Sequence, residues 1–119
     1  MSNGVIKKNV IVEMTFEFSL KVIAFVDELV QRKKFQLSKQ LFASATSIGA
    51  NVREAQNPES KADFIHKIKI AMKEAEETEY WLMLSHHSKG YPDCEELLKD
   101  VKSIIKVLAK IITTSITKN

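Results

Sequence analysis

Apolar residues recur along this chain at intervals of three and four, which is the spacing of one face of an α-helix. The periodicity breaks after the basic run at residues 32–34, at Asn57-Pro58 and across residues 88–92. These breaks predict four helices at about 14–33, 37–55, 60–87 and 93–114, preceded by a polar lead-in with a short apolar patch up to about residue 12. Because the connections are short, we expect an all-α fold, an antiparallel up-down-up-down four-helix bundle formed as one domain by residues 1–119.

The second predicted helix carries an apolar row beside a polar one, when residues are projected at about 100° each. The apolar row, which we expect to face the core, consists of Leu37, Leu41, Ala45, Ile48, Val52 and Ala55. The polar row consists of Gln40, Ser44, Ser47, Asn51 and Glu54. Gly49 and Ala50 lie on the flanks, where their small size lets a neighbouring backbone approach closely.

Glu79 falls on the apolar row of the third predicted helix, an unexpected place for a carboxylate. Leaving a buried carboxylate without partners costs several kcal/mol. We therefore expect Ser47, Asn51 and Glu54 to meet Glu79, and with it Glu74, in a polar network that fixes the rotation of the two helices. Two alternatives stay open: Glu79 is a catalytic or ligand-binding carboxylate, or it reaches solvent or a seam between subunits.

The first predicted helix is apolar over an arc of about 220°, whereas a surface helix commonly shows a stripe somewhat wider than about 100°. The arc is formed by Phe16, Phe18, Leu20, Val22, Ile23, Phe25, Val26, Leu29 and Val30. This excess predicts a subunit interface, which we assign to Phe18, Val22 and Phe25, with Trp81 from a second apolar set on the third helix. The alternative is a central first helix that its own chain covers on several sides.

Composition agrees with a globular helical domain, because only three Gly and two Pro occur among 119 residues and 45% of the residues are hydrophobic. Cys94 is the single cysteine and cannot form an intrachain disulfide, so we expect a cytoplasmic protein. No apolar run is long enough to span a membrane. The start of the chain lacks a signal-peptide pattern, since a short apolar run follows Lys7 and Lys8 and ends at Glu13.

The formal net charge of +3 permits contact with nucleic acid without requiring it. The candidate phosphate contacts at the first connection are Arg32, Lys33, Lys34 and Lys39. Those on the outer row of the fourth helix are Lys99, Lys102, Lys106 and Lys110. Lysines on an outward face are also commonly just solvated. Phe35 and Tyr91 are isolated in the sequence, so we do not expect base stacking or sequence-specific recognition.

Nothing in the sequence favours catalysis. Di-iron bundles need two Glu-x-x-His motifs and further carboxylates, whereas the nearest match here is a single Asp-x-x-His at residues 63–66. We therefore expect no metal and no cofactor. Neither Arg32 nor Arg53 is followed by the His that a HEPN-type ribonuclease needs, and no Gly-rich phosphate loop is present. An enzyme that uses Glu79 or Glu54 is the weakest hypothesis.

Two stretches of the chain match a known family. They are LSKQLFASATSIGANVREA at residues 37–55 and SKADFIHKIKIAMKEAEETEYWL at residues 60–82, together about a third of the chain. They resemble a bacterial four-helix bundle family whose named branch is encoded by intervening sequences of the large-subunit (23S) rRNA gene. The first and fourth helices resemble that family only in position and apolar character.

The resemblance implies a bundle that often assembles as a ring of five subunits. A related member, the accessory variability determinant of diversity-generating retroelements, is a basic ring that binds nucleic acid and a reverse transcriptase. Relatives often carry Arg after the Gln of the second helix, where this chain has Phe42 and Ala43. We expect a non-enzymatic homo-oligomer, a pentamer by resemblance, that binds RNA or a reverse transcriptase-like protein. The alternative is a purely structural self-assembling protein with a protein partner.

Overall fold

The computed structural model describes residues 9–117, so most of the predicted lead-in lies outside the described residues. Four α-helices account for most of this range: α1 Val10–Gln31, α2 Phe35–Ala55, α3 Lys61–His86 and α4 Glu95–Thr117. Residues 9–117 contain no β-strand. The predicted all-α, four-helix fold class is confirmed.

Neighbours in sequence are neighbours in space. Each helix packs against the next, and α1 also packs against α4, whereas α2 and α4 lie diagonally across the bundle. Contacts at the two ends align the helices: Asn9 Nδ2 donates to Gln56 Oε1 at 2.6 Å, and Arg32 Nη1 donates to the Gly90 carbonyl at 3.3 Å. The α1–α2 and α3–α4 connections therefore lie at the same end, as in an up-and-down bundle.

Capping side chains explain where two of the helices begin. Asn9 accepts a hydrogen bond from the Val12 N–H at 3.4 Å, so α1 begins at Val10 rather than near residue 14. The apolar patch expected to precede the first helix is thus its first turn, and Ile11 is buried in the core. Ser60 caps α3 in the same way, accepting from the Asp63 N–H at 3.0 Å.

The core consists of one apolar stripe from each helix. Its fully buried large apolar side chains include Phe18, Val22, Leu29, Leu41, Ile48, Val52, Ile68, Leu82, Val101, Ile104 and Leu108. Each such side chain contributes about 1.5–3 kcal/mol when it leaves water. The predicted apolar row of α2 is confirmed, since all of its members except the partly buried Leu37 are fully enclosed.

The predicted close approach at Gly49 is also observed. A Cβ atom added there would lie 3.4 Å from the Thr15 carbonyl oxygen of α1 and 3.6 Å from Ser19 Oγ. The missing side chain lets α2 lie directly against the backbone of α1.

An ion pair joins the first helix to the last. Lys21 Nζ lies 2.7 Å from Glu96 Oε2 and 2.9 Å from Asp100 Oδ2. These hydrogen bonds raise the pKa of Lys21, and the bond from Lys21 lowers the pKa of Glu96. Within residues 9–117, no helix is both long and apolar enough to cross a membrane.

Candidate functional site

The predicted polar network between α2 and α3 does not form among its expected members. Ser47 Oγ donates to the Ala43 carbonyl at 2.7 Å, and Asn51 Nδ2 donates to the Ser47 carbonyl at 2.9 Å, both within α2. Glu54 pairs instead with Lys67 at 2.8 Å, and this contact raises the pKa of Lys67. Glu79 is partly exposed and has no hydrogen-bond partner among residues 9–117, so its expected place on the core stripe is wrong.

A buried polar contact between these helices does exist, but it joins other residues than those predicted. Thr78 Oγ1 lies 2.8 Å from Ser44 Oγ and 2.8 Å from the Glu74 carbonyl oxygen of its own helix. Both hydroxyl-bearing residues are almost completely enclosed. Burial, with repulsion from Glu77, raises the pKa of the Glu74 carboxyl. Ser44 belongs to the predicted polar row of α2, whereas Thr78 was not predicted as its partner.

The predicted interface residues of α1 are core residues instead. Phe18, Val22 and Phe25 are 2%, 0% and 7% exposed, so no second subunit can reach them in the folded chain. Trp81 is partly exposed, and its Nε1 donates to Glu77 Oε2 at 3.1 Å. The apolar arc of α1 is as broad as predicted, but the half that was assigned to a partner subunit faces the core of its own chain.

The other half of the arc is exposed. Phe16, Leu20 and Ile23 form a stripe along α1 and are 53%, 48% and 40% exposed. Phe16 shares a groove with Thr46 of α2, and Thr46 donates to the carbonyl of Phe42 one turn earlier. Because the two helices are antiparallel, we expect Phe42 to lie at about the level of Leu20 and Ile23. We call these four residues, Phe16, Leu20, Ile23 and Phe42, the outer apolar surface.

The basic turn between α1 and α2 has an uncommon backbone. Lys33 has a φ of 61°, and the N–H groups of Lys33 and Lys34 donate to the carbonyls of Val30 and Leu29 at 2.9 and 2.8 Å. This is a Schellman-type helix end, in which the left-handed residue is usually Gly. For an L residue that conformation costs about 1–2 kcal/mol. The chain places a lysine where stability favours glycine.

The next residue also departs from the stable choice. Lys34 occupies the N-cap of α2 and makes no side-chain capping bond, and no acidic residue lies in the first turn. Ser, Thr, Asp and Asn are the favoured caps, and a cation is unfavourable beside the positive end of a helix. The lysines and the helix N-terminus therefore concentrate positive charge at this turn.

The structure gathers aromatic rings around this charge, contrary to the expectation that they are isolated. Lys34 Nζ lies 4.7 Å from the centroid of the Tyr91 ring, a cation–π contact. Phe35 and Tyr91 line one groove together with Lys33 and Lys34, with a volume of about 380 Å³. Arg32 is more tightly held, with Nη2 3.1 Å from Glu28 Oε2.

The lysine row of α4 forms a separate basic area. Lys99, Lys102, Lys106 and Lys110 are exposed, and none forms an ion pair with a described residue. They lie opposite the buried side of α4, on the helix diagonal to α2. The row and the basic turn therefore lie on different elements of the chain.

The remaining reactive groups have structural environments. Burial raises the pKa of the Cys94 thiol, whose Sγ donates to the Leu82 carbonyl at 3.3 Å. His66 of the Asp-x-x-His sequence is exposed. In the part of the chain that the structure describes, no three His, Cys, Asp or Glu side chains are grouped so as to hold a metal ion.

Comparisons with known proteins fit this architecture. No curated protein matches the chain. A crystal structure of a protein of unknown function from the S23 ribosomal protein family of Bacteroides thetaiotaomicron VPI-5482 is similar to it, with a TM-score of 0.82 and 42% sequence identity. The match covers 86% of this chain and 97% of that one. The family model described as 23S rRNA-intervening sequence protein matches residues 7–112. This chain therefore belongs to the 23S rRNA-intervening sequence protein family.

Proposed function

We propose that this protein is a non-enzymatic, self-assembling helical bundle that binds RNA through the basic end of each subunit. The observation that carries the proposal is the exposed outer apolar surface of α1 and α2, beside a fully formed core. The resemblance of the sequence to ring-forming relatives suggests an assembly of five copies.

The outer apolar surface supports self-assembly. Soluble monomers rarely leave a large contiguous apolar patch in water, yet Phe16, Leu20, Ile23 and Phe42 are each 40–53% exposed. Ala43 and Ala50 also lie exposed on α2 and leave room for a neighbouring helix to approach. A second copy of the chain would remove these side chains from water.

The basic turn supports an anionic partner. Lys33 and Lys34 occupy positions where glycine and a capping residue would give a more stable fold. A phosphate near the N-terminus of α2 would accept hydrogen bonds from its free N–H groups and would compensate the lysine charges. A ring would place several such turns on one particle, which strengthens weak and salt-sensitive binding.

The alternative function is a purely structural assembly whose partner is another protein. An electrophoretic mobility shift of single-stranded RNA over a series of salt concentrations separates the two. RNA binding that weakens linearly on a plot of log affinity against log salt supports the proposal. The absence of binding even at low salt contradicts it and leaves the structural alternative.

Two charge-matched variants locate the contact. Lys33→Glu/Lys39→Glu and Lys102→Glu/Lys106→Glu change the net charge equally, but the first pair lies at the basic turn and the second on α4. We expect the first variant to lose most RNA binding and to show a shallower salt dependence, while the second retains most of its affinity. Equal losses would mean that net charge alone attracts RNA, and the reverse order would place the contact on α4.

A further inference from the structure

A second groove lies next to the basic turn, between the first turns of α2 and the last turns of α3. Its volume is about 520 Å³, within the range of small-molecule sites. From α2 it is lined by Gln36, Leu37, Lys39 and Gln40, and from the α3 side by Trp81, Leu84, Ser88 and Tyr91. No sequence pattern indicates this groove, because its two sides are about 45 residues apart in the chain.

Part of the groove's lining is aromatic and apolar. Trp81 is partly exposed, and its indole N–H donates to Glu77 Oε2 at 3.1 Å. Leu84, one turn further along α3, is 43% exposed. The Tyr80 ring packs against Trp81 with a centroid distance of 5.6 Å but does not line the groove.

Other lining residues are basic or carry amides. Lys39 lines this groove, and Lys33 and Lys34 line the adjoining one, which shares Gln36, Leu37 and Tyr91. Neither lining includes a carboxylate from the described residues, and the nearest carboxylate named above, Glu77, is engaged by the Trp81 indole. By contrast, the groove between α1 and α4 includes Glu13, Glu17 and Asp100, and the one near the α2–α3 connection includes Glu54, Glu59 and Asp63.

We infer that this groove holds an unstacked base of single-stranded RNA, an inference that rests on the proposed RNA binding. The base stacks on Trp81, as bases stack on aromatic rings in proteins that bind single strands. The Gln36 and Gln40 amides each offer donors and an acceptor to the edge of the base. The adjacent phosphates lie at Lys33, Lys34 and Lys39. An acidic peptide would form ion pairs with the lysines, but its carboxylates would not stack on the Trp81 ring.

Trp81 is the single tryptophan of the chain, so its fluorescence reports on the groove directly. A short single-stranded oligouridylate is titrated into the native protein, with heparin and poly-glutamate as polyanions that lack bases. We expect the RNA to quench Trp81 and the two polyanions to leave its emission unchanged. Quenching by poly-glutamate to the same extent would overturn the inference in favour of an acidic peptide.

This titration also separates the inference from the proposal beneath it. If the mobility shift shows RNA binding while Trp81 emission stays constant, the base site is wrong and the proposed function stands. If the oligouridylate shows no mobility shift with the protein and does not quench Trp81 fluorescence, the proposed function fails and the base site fails with it.

Trp81→Leu and Tyr80→Leu form a matched pair, because the two rings touch and only Trp81 lines the groove. We expect Trp81→Leu to weaken oligouridylate binding by roughly five-fold to a hundred-fold without changing its salt dependence. Tyr80→Leu should change the oligouridylate affinity by less than about two-fold. Equal effects of the two variants would overturn the inference.

Gln40→Ala tests the same groove from an exposed position at little risk to folding. We expect a loss of a few-fold in affinity, and unchanged affinity together with unquenched Trp81 would contradict the inference. Circular dichroism and solution mass are recorded for every variant. A smaller assembly in Trp81→Leu would show that a second copy of the chain occupies the groove, which also overturns the inference.

Discussion

Lys33 ends α1 in the left-handed region, with a φ of 61°. Replacing it with Gly relieves the backbone and should raise the free energy of unfolding by about 1 kcal/mol relative to Lys33→Ala, which removes the same charge but keeps the strain. Chemical denaturation of both variants measures this difference. Both should also bind RNA more weakly than the native protein, so stability and binding would change in opposite directions in Lys33→Gly. Equal stability of the two variants would show that this turn stores no strain.

The contact between Ser44 and Thr78 should hold α2 against α3. Thr78→Val keeps the shape but leaves the Ser44 hydroxyl without its partner, so we expect a loss of about 1–3 kcal/mol in the free energy of unfolding. Adding Ser44→Ala removes the stranded hydroxyl, and the double variant should lose less than the sum of the two single changes. Thr46→Val is the control, because the Thr46 hydroxyl bonds only within its own helix. Additive losses would mean that the two hydroxyls act independently.

Residue patterns predicted the core of α2 but not the polar partners across it. The apolar row and the close approach at Gly49 follow from helical spacing and side-chain size, and both can be read from the sequence. The observed pairs Ser44–Thr78 and Glu54–Lys67 put Asn51 level with about residue 71 of α3. Asn51 and Glu79 are therefore about eight residues, or roughly 12 Å, apart along the helix axes, and this axial register cannot be read from the spacing within each helix. A hydroxyl or amide can also bond to its own helix backbone, as Ser47 and Asn51 do, and no sequence pattern excludes this.

At the scale of elements, the ion pair from Lys21 to Glu96 and Asp100 links two helices that are far apart in the chain. The lowered pKa of Glu96 means that its contribution to stability is present above the unfolded-state pKa and is lost as the pH falls through the folded-state pKa. We therefore expect Glu96→Gln to be less thermally stable than the native protein at neutral pH, with the difference shrinking as the pH falls below about 4.5.

Glu95→Gln is the matched control for this pH profile. Glu95 and Glu96 both lie in the first turn of α4 and both favour the positive helix end, but only Glu96 pairs with Lys21. Melting temperatures are measured from neutral to acidic pH, at low and high salt. A Glu96→Gln profile that coincides with that of Glu95→Gln would show that the bridge between α1 and α4 adds nothing beyond the helix dipole.

The number and order of the helices could be read from the sequence, but the side of α1 that faces the core could not. Its apolar arc is wide enough that either half can serve as the core side, and burial selected Phe18, Val22 and Phe25. The early start of α1 was missed because Val10, Ile11 and Val12 are β-branched, which lowers helix propensity. Packing of Ile11 and the Asn9 cap outweigh that preference.

At the scale of the whole molecule, the two ends of the bundle differ in chemistry. The end with the basic turn has two grooves whose described linings carry lysines, aromatic rings and no carboxylate. The groove at the α2–α3 connection, at the opposite end, has three carboxylates and one lysine. The sequence shows the lysines of this turn but could not place Trp81 and Tyr91 beside them, because that proximity exists only once α2 and α3 have packed together.

Solution mass tests self-assembly through the outer apolar surface most directly. Sedimentation or light scattering is measured over a dilution series for the native protein, for Leu20→Glu, and for Ala109→Glu as a control carboxylate on the exposed side of α4. We expect the native protein and Ala109→Glu to have the mass of several chains, five by resemblance to the family. Leu20→Glu should have the mass of one chain and an unchanged helical content. A native protein that stays monomeric at micromolar concentration, or a Leu20→Glu variant that assembles normally, would contradict the account.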